Sequence, residues 1–113
     1  MAKVYAYRID GKLQVSPSPV IVNDGDKLDL ENLTDDEIDW RFPQGPFGSQ
    51  VNKKTDGKGS KEKTPKAADH SAPQAYKYRV QKVTALRPGA KRRKRAKVMD
   101  DDDFADPVII IET

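Results

Sequence analysis

The sequence has no cysteine and only one histidine, and it has no long run of apolar residues. Without cysteine the chain forms no disulfide and no thiolate site. A membrane-spanning helix needs about 18 or more consecutive apolar residues, and none are present. The first ten residues, MAKVYAYRID, lack the apolar centre of a signal peptide. These absences make a cytoplasmic protein with no membrane partner the default expectation.

Helical periodicity is also absent. No segment repeats its apolar residues at the 3.6-residue spacing of an amphipathic helix, and no internal repeat is visible. The 113 residues correspond to one domain, residues 1–113, and they are 35% hydrophobic and 35% charged. The apolar residues must therefore be concentrated in a few segments separated by polar connections.

Several short segments alternate apolar and polar residues with the period of two that is typical of β-strands. Turn residues separate them, for example Asp10-Gly11 and the Asn23–Asp26 turn. A bulge is predicted near Gln81 and Lys82, where the alternation changes parity. The aromatic residues on these segments are predicted to be mostly core, with an exposed stacking platform as the alternative: Tyr5, Tyr7, Trp40, Phe42, Phe47, Tyr76 and Tyr78.

About seven strands of this kind predict an all-β fold, an antiparallel Greek-key β-sandwich, with a small closed barrel as the main alternative. Two polar segments interrupt the pattern. Residues 49–75 contain one β-branched aliphatic residue, Val51, and no aromatic residue before Tyr76, so we predict a long mobile loop. Residues 88–103 are predicted to be a second charged loop of the same domain.

The net charge of +3 conceals three blocks of opposite sign. Residues 1–50 hold 5 basic and 9 acidic side chains, residues 51–97 hold 16 and 3, and residues 98–113 hold none and 6. The basic block includes two clusters that predict an anion-binding or nucleic-acid-binding surface. The denser cluster is the candidate site: Lys91, Arg92, Arg93, Lys94, Arg95 and Lys97. The sparser one lies in the first loop: Lys53, Lys54, Lys58, Lys61, Lys63 and Lys66. The competing interpretation is a solvated loop whose arginines pair with Asp100 to Asp103.

The order of the strand-like segments resembles that of small cupredoxin-like domains. The segments VIVNDGDKLDLENLT (20–34), YKYRV (76–80) and DPVIIIE (106–112) carry the resemblance, which covers about half of the chain and is shared with immunoglobulin-like sandwiches. The resemblance implies a β-sandwich scaffold. It implies no copper site, because such a site uses two histidines and a cysteine and this chain has only His70.

Few residues are candidates for catalysis or metal binding. His70 lies in a segment rich in Lys, Ser and Pro, where a solvated loop residue is expected. Asp35, Asp36, Glu37 and Asp39 form an acidic turn whose spacing does not match the calcium-loop pattern. We therefore predict no catalytic residue, no metal site and no cofactor.

The sequence thus predicts a non-enzymatic interaction module that binds a macromolecular partner through its charged loops. Three alternatives remain. The first is a nucleic-acid-associated or ribonucleoprotein-associated protein that contacts phosphates through residues 91–97. The second is a self-assembling structural protein whose terminal PVIII strand adds edge to edge. The third is an enzyme that uses a metal at the acidic turn.

Overall fold

The computed structural model describes residues 2–68, 70–85 and 97–113, and in these ranges the chain is predominantly β. The elements in chain order are β1 (Ala2–Ile9), β2 (Lys12–Ser16), β3 (Val20–Asn23), β4 (Leu28–Asn32), β5 (Ile38–Phe42), α1 (Gln44–Phe47), β6 (Val51–Thr55), β7 (Ser60–Lys63), β8 (Gln74–Lys77), β9 (Arg79–Ala85), β10 (Lys97–Ala105) and β11 (Val108–Glu112). The described ranges contain no helix that is long and apolar enough to cross a bilayer.

The strands form three sheets with the orders β2-β1-β4-β7, β10-β9-β5-β6 and β3-β11-β8. The all-β prediction is confirmed, but a purely antiparallel arrangement is wrong. β1 pairs with β4 in parallel, and β3 pairs with β11 in parallel. The parallel pairs arise because the chain leaves the first sheet after β2, passes through β3 in another sheet, and returns as β4 beside β1.

One core joins all three sheets. The apolar residues that alternate in residues 38–42 are buried as predicted, namely Ile38, Trp40 and Phe42, but the strand does not have a single buried face, because Asp39 is buried as well. Leu28 and Leu30 of β4 are buried as well. The indole Nε1 of Trp40 donates a hydrogen bond of 2.9 Å to Thr55 Oγ1, so the largest core side chain has its polar atom paired. The core cluster also takes Val20 and Val22 from β3, and Ile109 and Ile111 from β11.

β1 buries the face opposite to the one that its aromatic residues indicate. Val4 and Ala6 are fully buried, whereas Tyr5 is 36% exposed and Ile9 is exposed. Both faces of this strand are apolar, so its period of two does not select one of them. The pairing with β4 selects it, because Val4 lies opposite the buried Leu30. The prediction that Tyr5 and Tyr7 are core residues is therefore wrong.

Residues 49–75 are not one long loop. They include β6, β7 and the first residues of β8. The composition argument failed because β6 and β7 are the outermost strands of their sheets and bury few side chains, among them Val51 and Thr55. Their backbone hydrogen bonds to β5 and β4 order a segment that has little apolar surface.

The second predicted loop, residues 88–103, is shorter than expected because β10 begins at Lys97. The register irregularity predicted near Gln81 and Lys82 is present, and the additional residues belong to the facing strand. Met99 is paired with Val83 and Phe104 with Gln81, so the four aspartates 100–103 lie opposite Lys82 alone. The acidic run is therefore an irregular section of β10.

Candidate functional site

The predicted anion-binding cluster lies mostly outside the described residues, because Lys91, Arg92, Arg93, Lys94 and Arg95 belong to the segment 86–96. Lys97 is the first residue of β10, where its Cα is paired with that of Ala85. The strands that carry this segment are described, and they define where it is attached. β9 ends at Ala85, at the end of its sheet where β5 begins, since Ile38 of β5 is paired with Lys82.

The turn of residues 33–37, between β4 and β5, supports that end of the molecule. Its Thr34 carbonyl accepts a 2.7 Å hydrogen bond from the backbone N–H of Lys58, in the turn between β6 and β7. Its Glu37 carbonyl accepts a 2.9 Å bond from the N–H of Val83 in β9. The 33–37 turn therefore connects the β6–β7 turn with the strand that precedes the basic segment.

Close packing keeps the β6–β7 turn against this support. A Cβ added to Gly57 would lie 2.7 Å from the carbonyl carbon of Asp35 and 2.8 Å from the carbonyl oxygen of Thr34. These are backbone atoms, which do not move aside as the end of a flexible side chain does. Glycine at position 57 therefore allows the two turns to approach each other.

Asn32, which is fully buried at the end of β4, completes this junction. Its Nδ2 donates to the carbonyls of Asp36 (2.7 Å), Asp56 (3.0 Å) and Thr55 (3.3 Å). Its Oδ1 accepts from the backbone N–H and the hydroxyl of Thr34, at 2.9 and 2.6 Å. One amide side chain therefore satisfies backbone groups of both turns. The only sign of this role in the sequence is an Asn at the end of a strand.

β6, β7 and the turn between them carry a group of lysines that we name the lysine edge: Lys53, Lys54, Lys58, Lys61 and Lys63. Lys53 is half-buried and the other four are exposed. β6 and β7 are the last strands of two different sheets and lie close to each other, so these cations lie on neighbouring edge strands. None of the five forms an ion pair with a carboxylate in the described part of the chain. Their charges are available to an anionic partner.

The structure separates Lys66 from the lysines that lie nearest the 33–37 turn. The next residue, Ala67, donates its backbone N–H to the carbonyl of Asp26, before β4 begins. Lys58 lies at the 33–37 turn, which follows the other end of β4, and Lys63 lies toward the Lys66 end, where it is paired with Asp29. Lys66 therefore lies at the opposite end of that strand.

Beside the 33–37 turn, Arg8 forms an ion cluster that sequence reasoning missed. Its guanidinium donates to Asp36 Oδ2 at 2.8 and 3.2 Å and to the two oxygens of Asp103 at 2.7 and 3.1 Å. The hydrogen bonds that Arg8 donates to Asp103 and, with a smaller effect, to Asp36 hold the pKa of Arg8 above its ordinary value. The partners are 28 and 95 positions away in the chain, so no local pattern indicates the cluster.

The acidic turn does not gather its carboxylates. Asp36 binds Arg8, whereas Asp39 is 1% exposed on β5 and accepts a 2.6 Å bond from Arg41 Nε. Within the residues that the structure describes, no group of three or more acidic, histidine or cysteine side chains is arranged to hold a metal ion. In this turn the described carboxylates mainly pair with arginines.

His70 is not the solvated loop residue that its sequence context predicts. Its side chain is 5% exposed. Nδ1 lies 3.1 Å from Asp24 Oδ1, and Nε2 lies 3.1 Å from the hydroxyl of Tyr76. The imidazole and the Tyr76 ring meet edge to face, with centroids 5.8 Å apart. The side chain is held by partners from the turn after β3 and from β8, which a composition argument does not detect.

Comparison with known proteins does not identify a relative: no family model, no curated protein and no solved structure matches the chain.

Proposed function

We propose that this protein is a non-enzymatic interaction module that binds an anionic macromolecule at the end of the molecule built on the 33–37 turn. The observation that carries the proposal is the common support of two basic segments. The 33–37 turn bonds to the β6–β7 turn through Lys58 N–H and to β9 through Val83 N–H. Lys54, Lys58 and Lys61 of the lysine edge and the strands that flank residues 91–96 therefore belong to one end of the fold.

Charge supports the choice of an anionic partner. Residues 51–63, which carry the lysine edge, hold five lysines and only two acidic residues, Asp56 and Glu62. Six of the seven residues from Lys91 to Lys97 are basic. Cations that have no carboxylate partner gain most from an anionic surface, because binding releases the counterions that surround a polyanion. The alternative explanation of these lysines is structural, because lysines on edge strands discourage unwanted strand pairing.

Nucleic acid is the second, narrower candidate, and the density of residues 91–97 favours it. Arginine and lysine at this spacing match the closely spaced phosphates of a strand. Three of the described aromatic residues, Trp40, Phe42 and Tyr78, are buried and cannot stack on bases. This candidate therefore predicts backbone contacts with little sequence preference.

The test is fluorescence anisotropy with labelled single-stranded DNA, RNA and polyglutamate over a salt series from about 50 to 200 mM. One variant neutralises the six basic residues of 91–97 with glutamine, and a second carries K54Q and K58Q. The matched control, K27Q and K66Q, removes two exposed lysines at the other end of β4. Each lost phosphate contact is expected to reduce the salt slope by about 1.

Loss of binding in the first two variants and retention in the control supports the module. Oligonucleotide binding identifies nucleic acid, and polyglutamate binding alone identifies an acidic protein. Binding that ignores salt, or that falls equally in the control, contradicts the proposal.

For the scaffold, we propose a Greek-key β-sandwich of the cupredoxin-like type without its copper. Support comes from β3, β4 and β11, which form where the resembling segments lie and share one core with the remaining sheets. Titration with Cu²⁺ is expected to produce no thiolate charge-transfer band, because the chain has no cysteine. Backbone assignment by NMR tests the topology through the β1–β4 and β3–β11 parallel contacts.

A further inference from the structure

An open cleft of about 520 Å³ lies between α1 and the segment that leads into β8, and the proposed function does not use it. Gly45 and Gly48 line it from the α1 side, and Ala68 and Ser71 line it from the opposite segment. Its volume is in the range of small-molecule sites, which is about 300–1,000 Å³.

The lining of this cleft differs from the rest of the chain in charge. Charged residues make up 35% of the sequence. None of the nine described lining residues is Lys, Arg, Asp or Glu. Amide side chains stand in their place, from Gln44 and Gln74, together with the hydroxyls of Ser71 and Tyr76. A cleft whose described lining has no Lys, Arg, Asp or Glu, in so charged a protein, points to an uncharged ligand, because an ion bound there meets no opposite charge of these kinds among those residues to offset its lost hydration.

The walls of the cleft are fixed by contacts of the residues that form them. The ring of Tyr76 lies so close over Gly45 that any side chain at position 45 would overlap it. The N–H of Ala68 donates 3.3 Å to the carbonyl of Pro46, which ties the two walls together. His70 is held from behind by Asp24 and reaches the Tyr76 hydroxyl with its other ring nitrogen. The two walls and the Tyr76 hydroxyl are therefore positioned before a ligand arrives, which lowers the entropy cost of binding.

Apart from the imidazole of His70, which is bonded to Asp24 and Tyr76, the side-chain hydrogen-bonding groups in the described lining are of one kind. Gln44 and Gln74 each offer an amide that both donates and accepts, and Ser71 and Tyr76 each offer a hydroxyl that does the same. A sugar hydroxyl has the same dual capacity, so a row of hydroxyls satisfies a row of such groups without leaving one unpaired. We propose that this cleft binds a neutral polyhydroxylated ligand, a saccharide.

The first test is a ¹⁵N–¹H NMR titration of the full chain with glucose, N-acetylglucosamine and maltose. Saturable shifts are expected for the amides of Gly45, Gly48, Ala68 and Ser71 with at least one of these sugars, while the amides of the lysine edge stay unchanged. Glucuronate and glucosamine, which carry opposite charges, are expected to bind about tenfold more weakly than the best neutral sugar. No saturable shift with any neutral sugar overturns the proposal, and so does equal binding of a charged one.

Variants locate the contacts. Gln74→Ala and Tyr76→Phe each remove one hydrogen-bonding group and are expected to weaken binding about three- to tenfold, while the ¹⁵N–¹H spectrum shows that the fold is retained. Gln50→Ala is the matched control, since Gln50 is exposed and does not line the cleft. Unchanged affinity in both cleft variants, or an equal loss in the control, overturns the assignment of the sugar to this cleft.

One further variant tests the uncharged character of the site. Asp69 stands in the chain between two lining residues and lies outside the described residues. Asp69→Asn is expected to leave saccharide affinity within about twofold. A loss of about tenfold or more means that a carboxylate takes part, which contradicts a site of neutral groups. The saccharide titration is independent of the oligonucleotide experiment, so either proposal can fail without the other.

Discussion

The Arg8 cluster and the lysine edge lie beside the same turn and use charge in opposite ways. Arg8 binds two carboxylates through four hydrogen bonds, and its side chain is 23% exposed. The lysines of the edge form no ion pair in the described part of the chain, and four of the five are exposed. Charge near the 33–37 turn is therefore divided between a structural cluster and a surface that remains open to partners.

Position in the sheet explains the division. β1 has a neighbour on each side, β2 and β4, so Arg8 at its end meets residues brought in by other elements. Asp36 comes from the turn after β4, and Asp103 comes from the irregular section of β10. β6 and β7 are terminal strands, and few elements reach their outer side. A cation in the middle of a sheet becomes paired, whereas a cation at an edge remains in solvent.

Asn32→Asp is expected to have the largest effect on stability, because Asn32 holds both turns. The substitution keeps the shape of the side chain, but it replaces the Nδ2 donor with an oxygen that faces three carbonyls and adds a fully buried charge. We expect the free energy of unfolding to fall by about 3–5 kcal/mol. Urea unfolding followed by tryptophan fluorescence measures the change.

Asn52→Asp is the control for this substitution, because Asn52 is exposed on β6. Its free energy of unfolding is expected to change by no more than about 0.5 kcal/mol. A loss of less than about 1 kcal/mol in Asn32→Asp would mean that the two turns are held together by other contacts.

Arg8→Met tests whether the Arg8 cluster stabilises the fold. The substitution keeps the apolar stem and removes the guanidinium, which leaves Asp36 and Asp103 close together without their shared cation. We expect a loss of about 2 kcal/mol, less than for a fully buried pair because the side chains are 21–29% exposed. The urea midpoint should fall without a large change in the denaturant slope.

Arg79→Met provides the contrast, since Arg79 pairs with Asp106 at a more exposed site, where the side chains are 45% and 38% exposed. Its expected cost is about 0–1 kcal/mol. If both arginine variants lose the same stability, the distinction between a structural cluster and exposed charge does not hold.

These contacts also show how far the sequence could predict the molecule. Alternation located β5 and β4 and the buried Trp40, because a strand with one apolar face leaves a readable pattern. Alternation did not select the buried face of β1, where Tyr5 and Val4 are both apolar. It also missed β6 and β7, whose order comes from backbone pairing with neighbours and not from their own apolar residues.

The candidate site could also be predicted from the sequence only in part. The basic clusters could be found in the sequence directly, since charge density is a property of composition. The sequence could not show which of the lysines share a surface. Lys58 and Lys66 look equivalent in the sequence, and they lie toward opposite ends of β4. The settings of His70 and Arg8 depend on partners 46 and 95 positions away, and such pairs become visible only when strand register is known.

Neutralising lysines of the lysine edge tests whether these side chains contribute to the stability of the fold. The triple variant K54Q, K58Q and K61Q removes three cations that form no ion pair with a described carboxylate. We expect the free energy of unfolding to stay within about 0.5 kcal/mol of the native value, with a slight gain at low salt because repulsion is relieved. Urea unfolding at two salt concentrations measures both effects. A loss above about 1 kcal/mol would assign these lysines a structural role.

The Lys3–Glu31 pair lies at the boundary between the two regions and gives the smallest expected effect. Glu31 is paired in register with Lys61 of the lysine edge, but its carboxylate binds Lys3 Nζ at 2.7 Å. The hydrogen bond from Lys3 lowers the pKa of Glu31 below its ordinary value of 4.5. The pair therefore stabilises the fold above that ordinary value, and this contribution is lost as the pH falls through the lower pKa of the folded state.

Lys3→Met should consequently raise the pKa of Glu31 toward its ordinary value, measured by ¹³C NMR titration of the side-chain carboxyl, and should weaken the loss of stability on acidification. Lys61→Met is the matched variant, because Lys61 lowers the same pKa only through its more distant charge. We expect a smaller rise of the pKa in Lys61→Met than in Lys3→Met. A larger rise of the pKa in Lys61→Met than in Lys3→Met would show that Glu31 interacts mainly with the lysine edge in solution. Lys61 in β7 would then be a paired residue, not one that is open to partners.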